Sequence, residues 1–251
     1  GTLEKYLEIY EVAERIQSGP RALRESVLIA LNGAARTQGA TTVSLDGEAL
    51  TPLKAQLPIK ALELRFNPMK RNSGGIWDLD RVMLAACSGV SEVKTAYKGT
   101  LQAGLIICLG RDLPMDQNRV LAEKVARWAK EGLPVIGIDL AGPESANTLE
   151  DQRSLEEMSE HYEIAGPKVG RTVHCGETEA VSLETFKKTL AGLKADRVGQ
   201  GFAFKDAGLI KQQQGGVMKD RGLGVLDGNV RQLFDQAVFR VDFKDARADF
   251  I

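Results

Sequence analysis

The sequence predicts an α/β fold of the TIM type, a (β/α) barrel that is incomplete or degenerate at its first and last strands. Three observations lead there. From Ile59 onward, short and nearly all-apolar strands alternate with helices in units of roughly 30 to 40 residues, the pattern of a parallel sheet covered on both faces. The strand ends carry polar residues one after another: Arg65 with Asn67, Arg111 with Asp112, Asp139 before Gly142, His174 with Glu177, and Arg197 with Gln200. An open doubly wound sheet gathers its site at one switch point, whereas in a barrel every strand contributes. Finally, the alternation fades after Gly201, where Gly-rich turns replace it and no three further βα units can be found.

Taken in order, Leu3 to Gln17 places Leu3, Leu7, Tyr10 and Ala13 at helical spacing, and Ser18-Gly19-Pro20 separates it from a second helix over Arg21 to Gln38. Residues 40–58 read as an atypical insertion, with a β-prone piece at Thr41 to Leu45, a turn at Asp46-Gly47, and prolines at 52 and 58. Strands are expected at Ala61 to Phe66, Gln102 to Leu109, Pro134 to Asp139, Lys168 to His174 and Asp196 to Gly199. Between them lie helices over Asp78 to Tyr97, with a soft spot near Ser88-Gly89, and over Asp116 to Gly132, Thr148 to Ile164 and Ser182 to Leu193. Residues 1–209 therefore form the barrel region and 210–251 a divergent C-terminal segment, with a helix over Asn229 to Ala237 and an edge strand over Ala237 to Phe243.

Composition narrows the function classes. The 33 Lys and Arg nearly cancel the 34 Asp and Glu, leaving a net charge of −1 and no basic field to gather nucleic acid. Apolar runs such as Ala103 to Leu109 fall far short of the roughly 20 residues of a membrane span. Three cysteines, Cys87, Cys108 and Cys175, show no paired spacing, which suits a reducing compartment. With no signal or transit segment at its start, the chain is expected to be intracellular and soluble, in cytoplasm or an organelle matrix.

The most informative stretch is Lys168 to Thr178, a strand ending in His174, Gly176 and Glu177. A Gly between the two lets the backbone turn sharply, so that both side chains face one ligand. Cys175 should point away from His174 on strand geometry. The only other histidine, His161, is expected on a helix facing solvent or a neighbour. Asp139 and Arg65 are read as bracing the barrel rim, and Glu144 with Glu177 as an alternative general acid/base pair in an unrelated α/β protein.

With the strand ends in hand, the chain resembles the adenosine deaminase family of metal-dependent amidohydrolases. The matching pieces run in the family's order: Glu63-Leu-Arg-Phe-Asn-Pro68, Gly104 to Leu109 with Arg111, Gly137-Ile-Asp-Leu-Ala-Gly142 with Glu144, Thr172-Val-His-Cys-Gly-Glu177, and Ala195 to Gly201. The resemblance covers Leu3 to Leu209, roughly four fifths of the chain. It implies an amidohydrolase barrel in which zinc activates a water that attacks C6 of adenine in adenosine and releases ammonia. It also implies His174 as a metal ligand, Glu177 as the proton shuttle, Gly142 as a backbone N–H facing the purine, and Gln200 in place of a histidine that orients the water.

The departures are as specific as the matches. The family's His-x-His pair has no counterpart; Thr42 and Ser44 stand where it would fall if Thr42 to Gly47 echoes that motif, and the Asp-Asp pair is missing, with only Asp227-Gly-Asn nearby. A catalytic zinc takes three protein ligands and a water, so the chain is expected to hold no zinc in the family's way and to be inactive. Its expected partners are a purine nucleoside, if the pocket survives, or protein subunits of an assembly. For the latter, Phe239, Val241 and Phe243 would offer a strand.

Overall fold

The computed structural model describes residues 3–35, 61–72, 79–98, 101–178 and 180–200. The insertion at 40–58 with Thr42 and Ser44, and the segment 210–251 with Asp227, Phe239, Val241 and Phe243, lie outside the described residues. Helices α1 (Leu3–Ile16) and α2 (Pro20–Ala35) precede β1 (Ala61–Phe66); α3 (Leu79–Ala96), β2 (Gln102–Gly110), α4 (Met115–Lys130), β3 (Val135–Ala141), α5 (Gln152–Ala165), β4 (Gly170–Cys175), α6 (Leu183–Gly192) and β5 (Arg197–Gln200) follow. A single 3-10 turn, Glu144–Ala146, sits between β3 and α5.

The five strands are parallel and lie in the order β1-β2-β3-β4-β5. Strictly sequential order with a helix in every described crossover is the winding of a barrel; a doubly wound sheet would reverse direction partway. The sheet is also curled. Four strand spacings put β1 and β5 about 19 Å apart if flat, yet Arg197 Nη1 of β5 lies 2.5 Å from Glu63 Oε2 of β1. Side chains of that length close the gap only across a concave face. The described strands form one half of a barrel wall.

Alternation along each strand separates two environments. One face is apolar and packs under the helices: Leu62, Leu64 and Phe66 of β1, Leu105, Ile107 and Leu109 of β2, Ile138 and Leu140 of β3, and Val173 and Cys175 of β4 are all buried. The other face carries Glu63, Arg65, Asp139, Thr172, His174 and Arg197, placed side by side by the register pairs Asp139↔Thr172, Thr172↔Arg197 and His174↔Gly199. β1, β3, β4 and β5 are thus less uniformly apolar than the sequence suggested, whereas β2 keeps apolar Ile106 and Cys108 on the concave face beside Arg65 and Asp139.

Element ends differ where local side chains intervene. The fifth helix begins at Gln152 rather than near Thr148. Asn147 Oδ1 and Thr148 Oγ1 accept from Leu149 N and Glu150 N and hold a turn there, and Asp151 then caps the helix by accepting from Ser154 N at 2.9 Å. Helix α3 runs unbroken through Ser88 and Gly89, so no soft spot exists. Gly89 instead backs onto α2, where an added Cβ would meet Val27 Cγ1 at 3.0 Å. His161 is also corrected: it is 4% exposed rather than on the surface, because the α5 face that carries it turns toward the core with Met158 and Tyr162. Among the described residues no helix is long and apolar enough to cross a membrane.

Candidate active site

Arg65, Asp139 and His174 lie in the C-terminal halves of their parallel strands, and the concave face there carries a cluster centred on His174. The ring is almost fully buried. Its Nδ1 lies 2.9 Å from Asp139 Oδ2 of the neighbouring strand, and the same oxygen accepts from Arg65 Nη1 at 2.8 Å. Arg65 Nη1 is also 3.0 Å from His174 Nε2 and 3.3 Å from Nδ1, so the guanidinium lies against the ring instead of addressing one nitrogen. Gly199 of β5 completes the bracket: a Cβ there would stand 2.7 to 2.8 Å from three ring atoms. Burial alone would push the Asp139 carboxyl up, but the adjacent His174 and Arg65 outweigh it and hold the group below its ordinary value.

The backbone of this strand end is held from two sides. Arg111, 3% exposed just past β2, donates from Nη2 to the His174 carbonyl at 2.8 Å and from Nη1 to the Asn147 carbonyl. Glu144 accepts from the Gly176 and Thr178 amides at 2.6 and 2.7 Å and from the Thr178 hydroxyl at 2.9 Å. Between these anchors Gly176 takes φ +70°, the sharp turn expected of it, and the half-buried Glu177 follows. A buried carboxylate with three donors is engaged in structure, which removes Glu144 from the general acid/base role.

The remaining expected positions are placed as follows. Gly142 follows β3 with φ +106°, a conformation glycine adopts without penalty, and a Cβ there would meet Asp112 Oδ1 at 3.0 Å. Gln200 ends β5 opposite Cys175. Cys175 is buried on the helix-facing side of β4, away from the concave face, and burial pushes its thiol up to about 11 against the opposing effect of the nearby Arg111. Arg65 and Asp139 do brace the cluster, as the sequence suggested. What sequence reasoning missed is Gly199 as the floor under His174 and Glu63 as the partner of Arg197. The signal for Glu63 was present in Ala61-Glu63-Arg65, an alternating polar face within a strand read as apolar.

A zinc at His174 would need further donors from the described residues. Among them no group of three His, Cys, Asp or Glu is arranged to hold a metal ion. His174 and Asp139 are joined by a guanidinium 3.0 Å from the imidazole nitrogen, a fixed positive charge that opposes a second cation at the same place.

Solved structures share this architecture. Adenine deaminase from Arthrobacter aurescens superposes with a TM-score of 0.60 at 16% identity, over 84% of this chain and 54% of that one. An amidohydrolase with bound Zn from Burkholderia ambifaria gives 0.57 at 20%, over 83% and 49%, and the N6-mAMP deaminase of Arabidopsis gives 0.61 at 16%, over 93% and 65%. The chain spans about half the length of the first two and about two thirds of the third. At these identities the likeness is one of fold. No curated protein matches. The adenosine deaminase family model matches residues 52–215, more than half of the 251, and that stretch contains β1 to β5 and all the residues of the His174 cluster. On that match the chain belongs to the adenosine deaminase family.

Proposed function

We propose that this chain is a purine-binding member of the family that does not by itself deaminate adenosine. Hydrolytic deamination adds water at C6 of the purine, protonates a ring nitrogen, and expels ammonia. In this reading Gly142 offers its N–H to the purine and Glu177 presents the proton to the ring nitrogen. Gln200, in place of the family's histidine, can orient a water through its amide but can take no proton. Recognition and protonation are kept; activation of the water is not.

The observation that supports this is the guanidinium of Arg65 against His174. The residue matching a family metal ligand is engaged by an anion and a cation of its own chain. Elemental analysis of the purified chain, ammonia release from adenosine with added zinc, and a purine riboside titration followed at the Gly142 and Glu177 amides test the proposal together. The expected outcome is no bound zinc, no ammonia, and saturable shifts at both amides. One zinc per chain with turnover would overturn the loss of catalysis, and absent shifts would overturn purine binding.

A further inference from the structure

Glu144 is 1% exposed. It reaches from the 3-10 turn after β3 to the loop after β4, the next strand in the sheet. Its two carboxylate oxygens divide the work: Oε1 accepts from Gly176 N–H at 2.6 Å, and Oε2 accepts from Thr178 N–H at 2.7 Å and Thr178 Oγ1 at 2.9 Å. The two amides lie on either side of Glu177. Hydrogen bonds to an ionised carboxylate are short and roughly twice as strong as neutral ones, and in a buried place each lost partner leaves an uncompensated group. The peptide planes before Gly176 and before Thr178 are therefore fixed, and Arg111 fixes the start of the same run through the His174 carbonyl at 2.8 Å.

We infer that Glu144 is a positioning residue for Glu177: its carboxylate sets the backbone on both sides of Glu177 and so aims that side chain. The inference rests on the reading of Glu177 as the proton donor to a bound purine. Its consequence is that two carboxylates adjacent in the fold divide into one that holds and one that acts. Glu144 makes no contact with substrate; its effect passes through the loop.

The test uses the full chain and three variants, Glu144→Gln, Glu177→Gln and the pair together, with Thr178→Val as a milder variant that removes only the hydroxyl donor. Amide exchange at Gly176 and Thr178, the side-chain order of Glu177 by carbon relaxation, and affinity for purine riboside are measured on each. In Glu144→Gln the two amides are expected to exchange about tenfold faster or more, with Val173 of β4 unchanged and Glu177 less ordered. Thr178→Val should show the same at Thr178, to a smaller degree. Purine riboside should bind the double variant no more weakly than Glu177→Gln alone, the non-additivity of residues acting as one unit. Unchanged exchange, unchanged Glu177 order, or additive losses would each overturn the inference. A wild-type chain that binds no purine riboside would sink the functional reading alone, since exchange and order decide the clamp without a ligand.

Discussion

His174 is held by a carboxylate, a guanidinium and a glycine, and the glycine is the least conspicuous of the three. Gly199 approaches the ring so closely that any side chain must displace it, and the displacement runs against Asp139 and Arg65 on the other contacts. Gly199→Ala is therefore expected to cost about 1 to 3 kcal/mol by overpacking. It should also move the His174 ring resonances in a nitrogen–proton correlation spectrum. An alanine variant of unchanged stability with unmoved His174 signals would mean that the ring is not seated there. The residue-scale reading also separates two kinds of carboxylate. Asp139 and Glu144 are buried, the first against the His174 ring and the second against the Gly176 and Thr178 amides, whereas Glu177 sits half-buried on the turn that Glu144 holds.

At the scale of elements, polar contacts tie the helices to their neighbours alongside the apolar faces. Tyr162 of α5 donates its hydroxyl to the Thr172 carbonyl of β4 at 2.6 Å, and Asp80 of α3 accepts from Lys124 and Trp128 of α4 at 2.9 and 3.2 Å. His161 is the exception, a buried imidazole whose Nδ1 has no partner. Burial lowers its pKa, Glu160 and Glu157 of its own helix and Glu123 of α4 oppose that, and Arg119 of α4 adds to it. A depressed folded-state pKa means that the unfolded chain takes the proton first as pH falls. The stability His161 contributes is complete above about pH 6.5, the ordinary histidine value, and declines below it. Urea unfolding at pH 7 and pH 5 should show a smaller acid loss for His161→Gln than for the wild type; equal losses would place the acid sensitivity elsewhere.

For the whole molecule, the curl of the sheet is the property that matters, because it turns five strand ends toward one space. The Glu63–Arg197 pair reports it directly, joining residues 134 apart in sequence across the concave face. Both side chains are one quarter exposed, so solvent screening is incomplete and the pair should couple. A double-mutant cycle with Glu63→Gln and Arg197→Met is expected to give a coupling of about 1 kcal/mol or somewhat more. A value near zero would mean that β1 and β5 do not face each other in solution.

Much of this was legible in the chain itself. The five strands fall within a few residues of where apolar runs and turn residues put them, since strands covered on both sides must be short and apolar along most of their length. The family was legible as a resemblance, carried by five motif pieces from Glu63-Leu-Arg-Phe-Asn-Pro68 to residues 195–201 in the family's order. What the sequence could not decide was who meets whom. Glu144 and Glu177 look alike as isolated carboxylates, and only the adjacency of β3 and β4 makes one the anchor of the other. His161 reads as a surface residue in Glu160-His161-Tyr162-Glu163 until the rotation of α5 against α4 is known. The bracing role of Arg65 is legible from its strand end, but its contact with the His174 ring is not. Periodicity and turn chemistry are local and are written along the chain; contacts between residues 30 to 130 apart depend on sheet curvature and register, which local periodicity does not encode.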